Sequence, residues 1–270
     1  MKKFLALALA MVLSFAVVGC GSESAPSEEA APSESVSEEA APAEGEATEA
    51  PAEGEATEAP AEGEAEEVKV MNHEEFMAAE LESEVCVETY VQGKQSYYAE
   101  KGTATIYAQS EDGAYFLYNA AVSEEDYEKL VPGAKIKVTG FKAEWSGEVE
   151  IIDAKVEILE GSFVPEVLDA TELLGTEEII AHQNELVAFN GLTVEKVEYK
   201  GEKGDGDDLY VTLKLNDASY NFCVESYLTD AESEVYKTVE GLKEGDVVDV
   251  EGFLYWYEGV NPHITAITVK

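Results

Sequence analysis

One short pattern occurs twice in this chain and constrains its fold more than any other feature. Residues 130–141 read LVPGAKIKVTGF, and residues 242–253 read LKEGDVVDVEGF. In both copies a Leu precedes a Gly by three residues, apolar residues then alternate, and a Gly-Phe pair ends the segment. Alternation with a period of two is typical of a β-strand that buries one face. The pattern therefore predicts the same strand in two copies of one folding unit.

The sequence around the two copies follows one order of elements. Capping-box patterns at 123–126 and 229–232 predict short helices at 123–130 and 230–241. A hairpin precedes each helix, a longer strand precedes each hairpin, and a further strand follows the repeated segment. The predicted early strands are 85–91, 103–109 and 114–119 in the first copy, and 186–199, 209–215 and 219–225 in the second. Each copy should thus contain five strands, with a helix between the third and the fourth.

A five-stranded barrel with a helix in that position resembles the OB-fold. We therefore predict an all-β protein with short helices, built from two tandem five-stranded OB-fold (Greek-key) barrels. The chain also resembles bacterial surface lipoproteins with tandem OB-fold domains, over about 80–160 and 184–270. Gly140 and Gly252, in the fourth strand of each copy, fit a point where a barrel strand must curl sharply.

The N-terminus has the features of an exported lipoprotein. Two lysines, an apolar run and small residues precede Cys20, which predicts a secretory signal peptide. The segment VVGC at 17–20 resembles the lipobox of bacterial lipoproteins, and this resemblance implies that Cys20 carries lipid. The remaining chain would then lie outside the cytoplasm, anchored to the bacterial cell membrane at the cell surface without crossing it. A plain signal peptide that happens to contain a Cys is the alternative.

Residues 21–67 are of low complexity. The nonapeptide PAEGEATEA occurs twice and begins a third time, and the segment contains sixteen Glu and no Lys or Arg. Such a segment cannot bury enough apolar surface to offset the entropy of ordering, so it should be a disordered acidic linker.

The predicted organisation is a signal peptide at 1–19, the lipidated Cys and spacer at 20–67, a first OB-fold domain at 68–160 with a helical lead-in at 72–84, a connector at 161–183 with a helix near 169–184, and a second OB-fold domain at 184–270.

Charge narrows the range of partners. Residues 68–270 contain 15 Lys, no Arg and 42 Asp or Glu, which is the chain's 58 acids less the sixteen of the spacer. A field of this sign repels phosphate backbones and attracts cations. We therefore expect the membrane, through Cys20, and an unidentified neutral or cationic ligand or a surface protein as partners, and we disfavour nucleic acid.

The candidate ligand-binding residues follow from where OB-folds usually bind, which is the outer face of strands two and three and the loops beside it. Alternation turns aromatic side chains outward on these strands in the first copy, while in the second copy they concentrate in the turn after the repeated segment. The first face could instead pack against the second barrel or a lead-in helix, and the turn could close the barrel end or form the interdomain interface. The predicted residues are Tyr97, Tyr98, Tyr107, Phe116, Tyr118, Trp145, Tyr210, Tyr255, Trp256 and Tyr257.

No catalytic or metal site is predicted. The three histidines do not form the paired pattern of a zinc-protease helix, and neither Cys86 nor Cys223 lies near a histidine in the sequence. The acidic loop at 201–208 does not follow the order of an EF-hand loop, so a polar hairpin loop is favoured over calcium binding. We expect no enzyme activity and no cofactor. Cys86 and Cys223 should be buried free thiols, with a disulfide as the alternative.

The predicted function is that of a lipid-anchored extracytoplasmic binding protein. Its two OB-fold modules would bind an oligosaccharide, a peptide or a small molecule. Two alternatives remain, a nucleic-acid-binding OB-fold protein that stacks bases on aromatic rings, and a surface adaptor that docks another protein without a small ligand.

Overall fold

The computed structural model describes residues 68–270, which lie within one compact unit, Glu62–Lys270. The predicted signal peptide, the lipidation site Cys20 and the acidic spacer lie outside the described residues. Strands account for about half of the described chain, and none of its helices is long and apolar enough to cross a membrane.

The first half of the described chain forms a closed five-stranded barrel. The strands are β1 Glu84–Lys94, β2 Thr103–Gln109, β3 Ala114–Ala121, β4 Ala134–Trp145 and β5 Glu148–Ser162, and the helices are α1 His73–Ala78 and α2 Glu124–Tyr127. The strands pair in the order β1-β2-β3-β5-β4, with β3 and β5 parallel and the other pairs antiparallel. This order agrees with the five-stranded OB-fold predicted for the first copy.

The core of the first barrel follows the predicted alternation. Ala104, Ile106 and Ala108 of β2 are buried in it, and so are Tyr115 and Leu117 of β3. Because side chains alternate between the two faces of a strand, the residues between them point away from this core. The outward-facing side chains of β2 and β3 therefore meet whatever covers the barrel.

The predicted lead-in helix at 72–84 is shorter than expected. Asn72 and Glu75 form a capping box, with the Asn72 side chain accepting from the Glu75 N–H at 2.8 Å, but α1 ends at Ala78. The ammonium group of Lys142 donates to the carbonyl oxygens of Met77 and Ala79 at 2.7 and 3.0 Å. These carbonyls lie at the end of the helix, and Lys142 supplies the donor that a further helical turn would otherwise provide.

The second half of the described chain forms a six-stranded sheet. Its strands are β6 Leu168–Asp169, β7 Leu186–Tyr199, β8 Leu209–Leu215, β9 Ala218–Val224, β10 Val247–Phe253 and β11 His263–Val269, with helix α3 Glu234–Glu240 and a 3-10 helix Glu177–His182. The strand order is β10-β11-β9-β8-β7-β6, and β10 also pairs with β7. The strands predicted for the second copy are present, and β6 adds a further strand beside β7.

Two helix predictions in the second half are wrong at their N-termini. The helix predicted from 230 begins at Glu234, because Ser233 is its cap and accepts from the Tyr236 N–H at 3.1 Å. The Thr229 hydroxyl instead donates to the carbonyl oxygen of Ile264. In the connector, the helix predicted near 169–184 is reduced to the 3-10 helix, because Leu168–Asp169 pairs with β7 and extends the sheet.

The repeated segment forms equivalent strands, β4 and β10, and its glycines have a structural cause. The pairing register shifts at both of them. A methyl group on Gly140 would lie 2.7 Å from the carbonyl oxygen of Ile152, and one on Gly252 would overlap the carbonyl oxygen of His263. The neighbouring strand therefore approaches the backbone too closely for any side chain, which explains why the chain contains Gly at both positions.

Candidate functional site

The two sheets meet through a small cluster of buried aromatic rings. Tyr107 of β2 stacks on Phe253 of β10 with ring centroids 4.5 Å apart, and Phe116 of β3 meets Tyr255 edge-on at 5.1 Å. Tyr107 and Phe116 point out of the first barrel's core as predicted, but the second sheet covers them. Tyr107 is completely buried, so the structure places it in the interface between the sheets and not on an open binding face.

A hydrogen bond adds a polar contact to this cluster. The Tyr107 hydroxyl lies 2.6 Å from Nδ1 of His263, whose ring stacks on Tyr255 at 4.3 Å. Burial lowers the pKa of His263 to about 4, and burial raises the pKa of Tyr107 well above its ordinary value. Both groups are therefore neutral near pH 7, and the phenol can donate to Nδ1 while the imidazole keeps its proton on Nε2.

A buried carboxylate makes the second contact between the sheets. Glu148, at the start of β5, accepts hydrogen bonds from the Asn184 side-chain amide at 2.6 Å and from the Trp256 N–H at 2.9 Å. Burial raises the pKa of Glu148 to about 8. The Trp256 ring lies against Gly147, where an added methyl group would be 2.7 Å from its Cδ1 atom. Trp256, which was predicted to bind a ligand, thus packs and hydrogen-bonds in the contact between the two sheets.

Beside these contacts, both sheets line a cleft with a volume of about 1280 Å³. Eight of the ten predicted ligand-binding residues line it, and Tyr107 and Trp256 do not. Most of the aromatic rings around the cleft are exposed, in contrast to the interface cluster. The aromatic lining consists of Tyr97, Tyr98, Phe116, Tyr118 and Trp145 from the first half, and Tyr210, Tyr227, Tyr255 and Tyr257 from the second.

Loops and strand alternation bring these rings together. Tyr118 follows the buried Leu117 on β3 and therefore points outward, with about half of its surface exposed. The loop after β1 contacts the turn after β9, where the Ser96 N–H donates to the carbonyl oxygen of Tyr227 at 2.7 Å. Sequence reasoning missed Tyr227, because a residue in a turn has no alternation that reveals its direction.

The cleft also contains four carboxylates, those of Glu150, Glu198, Asp208 and Glu225, and one lysine, Lys101. Asp208 is paired: it binds the Lys200 ammonium group at 2.9 Å and accepts from the backbone and hydroxyl of Ser226. Burial by itself would raise the pKa of Asp208, but these hydrogen bonds and the Lys200 charge outweigh it and the pKa is lowered.

Two of the cleft carboxylates have raised pKa values. Burial, followed by the charge of Asp208, raises the pKa of Glu225 to about 7, although its carboxylate accepts a hydrogen bond from the Leu228 N–H at 2.8 Å. Burial also raises the pKa of Glu150. Nothing in the sequence distinguished Glu150 among the many acids of the chain.

Metal and thiol chemistry receive no support from the described residues. Residues 68–270 contain no group of three His, Cys, Asp or Glu side chains that could hold a metal ion. Cys86 and Cys223 are buried free thiols, as expected, and burial raises the pKa of Cys223 far above its ordinary value. In the loop at 201–208, the Asp205 carboxylate accepts from the backbone N–H groups of Glu202 and Asp207, which is typical of a polar hairpin loop.

No protein-family model and no curated protein matches this chain. Among solved structures, a murine DNA-binding protein bound with double-stranded DNA is 13% identical, with 68% of this chain and 94% of that chain covered and a TM-score of 0.34. The Ifi202 HINa domain in complex with double-stranded DNA is 15% identical, with coverages of 70% and 98% and a TM-score of 0.31. A replication protein A heterotrimer bound to single-stranded DNA is 13% identical, with coverages of 67% and 50% and a TM-score of 0.27.

These likenesses correct one prediction. The matched structures contain proteins bound to double-stranded or single-stranded DNA, which contradicts the expectation that nucleic acid is a disfavoured partner. That expectation, drawn from net charge alone, is withdrawn. At TM-scores of 0.27 to 0.34 the likenesses do not by themselves identify a ligand for this chain.

Proposed function

We propose that this chain is a lipid-anchored binding protein outside the cytoplasm, and that its cleft binds a neutral or cationic ligand containing a ring. The observation that carries the proposal is the lining of the cleft, which includes nine aromatic side chains, four carboxylates and one lysine. Flat rings gain contact by stacking on Tyr and Trp, and carboxylates accept hydrogen bonds from hydroxyl or ammonium groups. Oligosaccharides, peptides and small molecules can supply both kinds of group.

We further propose that the second sheet is an OB-type barrel like the first. Its strands β7, β8, β9, β11 and β10 follow one another as β1, β2, β3, β5 and β4 do, and β10 pairs with β7 as β4 pairs with β1. The parallel contact of β9 with β11 corresponds to that of β3 with β5. Hydrogen exchange would test this proposal, since a closed barrel should protect the β9 and β11 amides as well as those of β3 and β5.

The proposed anchor rests on the lipobox-like sequence that ends at Cys20. The variant Cys20→Ser should lose lipid labelling and be released into the medium. Membrane retention of that variant at the wild-type level would contradict the lipid anchor.

Single-stranded nucleic acid is a second candidate ligand. The observation that favours it is the set of exposed rings around the cleft, because bases of any sequence can stack on aromatic side chains. Lys101 lies among these rings, with its ammonium nitrogen 5.4 Å from the centroid of Tyr98, where it can meet a phosphate. A stacking ligand with a phosphate backbone would therefore use the same cleft.

Calorimetric titration of the full chain with maltohexaose, tyramine and an oligothymidylate separates the two candidates. Loss of one stacking ring costs about 1–3 kcal/mol, so Tyr118→Ala should weaken a cleft ligand about tenfold or more. Phe141→Ala is the matched control, because Phe141 is an exposed ring on β4 outside the cleft.

The salt dependence of the titration identifies the ligand class. Binding of the uncharged sugar should change little with salt, whereas oligothymidylate binding that weakens steeply as salt rises would favour the second candidate. If Tyr118→Ala and Phe141→Ala have equal effects on every ligand, the cleft is not the binding site.

A further inference from the structure

One carboxylate in the cleft has no partner within residues 68–270. Glu150 on β5 is only 8% exposed, and no described residue donates a hydrogen bond to its side chain or forms an ion pair with it. Glu148, two residues earlier, is also buried, but it accepts from Asn184 and Trp256. Because an unpaired buried charge is costly, a carboxylate in this position needs a donor from outside the chain or must remain protonated.

Three aromatic residues lie in the neighbourhood of Glu150. Phe116 of β3 is its Cα partner across the parallel pair and meets the Tyr255 ring at 5.1 Å. Burial raises the pKa of Tyr255, and the carboxylates of Glu148 and Glu150 and the Tyr118 phenol raise it further, so these groups lie near one another. Glu150, Phe116, Tyr118 and Tyr255 all line the cleft. A group that reaches Glu150 from the cleft therefore contacts rings as well.

We propose that Glu150, with the rings of Phe116, Tyr118 and Tyr255, forms a subsite for the protonated amine of an organic ligand. An ammonium N–H group donates to the unpaired carboxylate, and the positive charge is attracted to the negative faces of the rings. This inference rests on the proposed function of the cleft and specifies one class among its ligands, the organic cations.

The surroundings favour an organic cation over a metal ion. Calcium takes six to eight oxygen ligands, and zinc takes four. No group of three His, Cys, Asp or Glu side chains within the described chain is arranged to hold a metal ion. One carboxylate and a set of rings is, by contrast, sufficient for an ammonium group attached to an apolar body.

Two ligands that differ in one group test the subsite. Tyramine and tyrosol share the phenol ring and its two-carbon chain, and tyramine ends in an ammonium group where tyrosol has a hydroxyl. Calorimetry with the full chain should show that Glu150→Gln weakens tyramine at least tenfold and changes tyrosol by less than twofold. Glu160→Gln is the matched control, because Glu160 is an exposed acid on the same strand outside the cleft.

Changes in the stability of the two variants are not expected to obscure the binding result. Glutamine has the shape of glutamate, and no described donor loses its acceptor when Glu150 is replaced, so melting temperatures of the two variants should match that of the wild type within a few degrees. Equal losses for tyramine and tyrosol, or none for tyramine, would overturn the subsite, as would failure of tyramine to bind the wild-type chain at millimolar concentration. Tyr118→Ala separates the two proposals: if it weakens tyrosol while Glu150→Gln affects neither ligand selectively, the stacking cleft stands and the amine subsite does not.

Discussion

The first barrel and the second sheet have the same order of strands, yet they use their outer faces differently. On the first barrel the outward rings Tyr107 and Phe116 are buried under the second sheet. The corresponding hairpin of the second sheet leaves Tyr210 and Asn221 exposed, and Cys223 and Glu225 line the cleft beside them. The first barrel thus contributes the outer face of β2 and β3 to the interface, and the second sheet contributes the end of β10 and the start of β11.

This difference shows how two halves with a similar order of strands can form one cleft. If both faces were buried against each other, the contact would be symmetric and no outer face would remain for a ligand. Because the second sheet covers only part of the first barrel's face, Tyr118 and Trp145 stay exposed beside the contact. Their position next to Tyr210 and Tyr257 creates a cleft that neither half has alone.

Removing the ring at the centre of the interface should have the largest effect. Tyr107 is completely buried, so Tyr107→Ala should lower the free energy of unfolding by about 3–5 kcal/mol, as truncation of a buried aromatic does. Tyr118→Ala, on the neighbouring strand but half exposed, should change it by less than about 0.5 kcal/mol. Urea denaturation of the full chain measures both. Equal effects of the two substitutions would show that the interface cluster is not closed in solution.

The two equivalent glycines should respond unequally to a methyl group. Gly252→Ala should cost more than Gly140→Ala, because the added carbon overlaps the carbonyl oxygen of His263 in one case and lies 2.7 Å from that of Ile152 in the other. Overpacking costs about 1–3 kcal/mol, and Gly252→Ala should lie at or above the top of that range. Gly241→Ala is the control, since its methyl group would make ordinary contacts at 3.4 Å. Denaturation midpoints in urea give the ranking, and the reverse order would show that the second sheet is the more adaptable half.

Replacing the buried carboxylate between the sheets should have the smallest effect on the free energy of unfolding near pH 5, and this effect should grow as the pH rises. Glu148 has a folded-state pKa of about 8 against an ordinary value of 4.5, so its stabilising contribution is complete below pH 4.5 and is lost as the pH rises through 8. Glu148→Gln should remove this part of the pH dependence while keeping the contact with the Trp256 N–H. If the Asn184 side-chain amide flips, the new amide at position 148 can donate to Oδ1 of Asn184, a buried oxygen that has no partner in the described chain.

The matched control for this experiment is Glu144→Gln, an exposed acid on the neighbouring strand. Melting temperatures measured from pH 5 to pH 9 should fall more steeply for the wild type and for Glu144→Gln than for Glu148→Gln. Parallel curves for all three proteins would mean that Glu148 is already hydrated, and that the second contact between the sheets is open.

The strands could be predicted from the sequence because their causes are local. The bounds predicted for β2, β7 and β8 agree with the structure. Strand alternation and turn residues are patterns of neighbouring positions in the sequence, so they can be recognised without the structure. The helix cap at Ser233 was mistaken for one at Thr229, because Thr229 precedes an acid, Glu232, by three residues, whereas Ser233 precedes Tyr236. The hydrogen bond of Thr229 to Ile264 is a tertiary contact that the local sequence does not reveal.

The site was predictable only in part, for a related reason. Alternation correctly turned Tyr107, Phe116 and Tyr118 out of the barrel, but it contains no information about which of them another part of the chain will cover. Glu150 could not be recognised among so many acids, because it differs from them in being buried without a hydrogen-bond donor from residues 68–270, which only the three-dimensional structure reveals. Alternation along a strand thus predicts on which face a side chain lies, and the packing of distant segments decides whether that side chain is exposed.

The cleft between the sheets has a consequence for cooperativity. A ligand that contacts both Tyr118 and Tyr210 binds only while the two halves are together, so its binding free energy adds to the free energy that holds them together. At a ligand concentration of 100 times the dissociation constant, this contribution is about 2.7 kcal/mol. Two halves that unfold in separate steps without ligand would then unfold in a single transition in its presence, and the ligand would determine whether this chain behaves as one folding unit or as two.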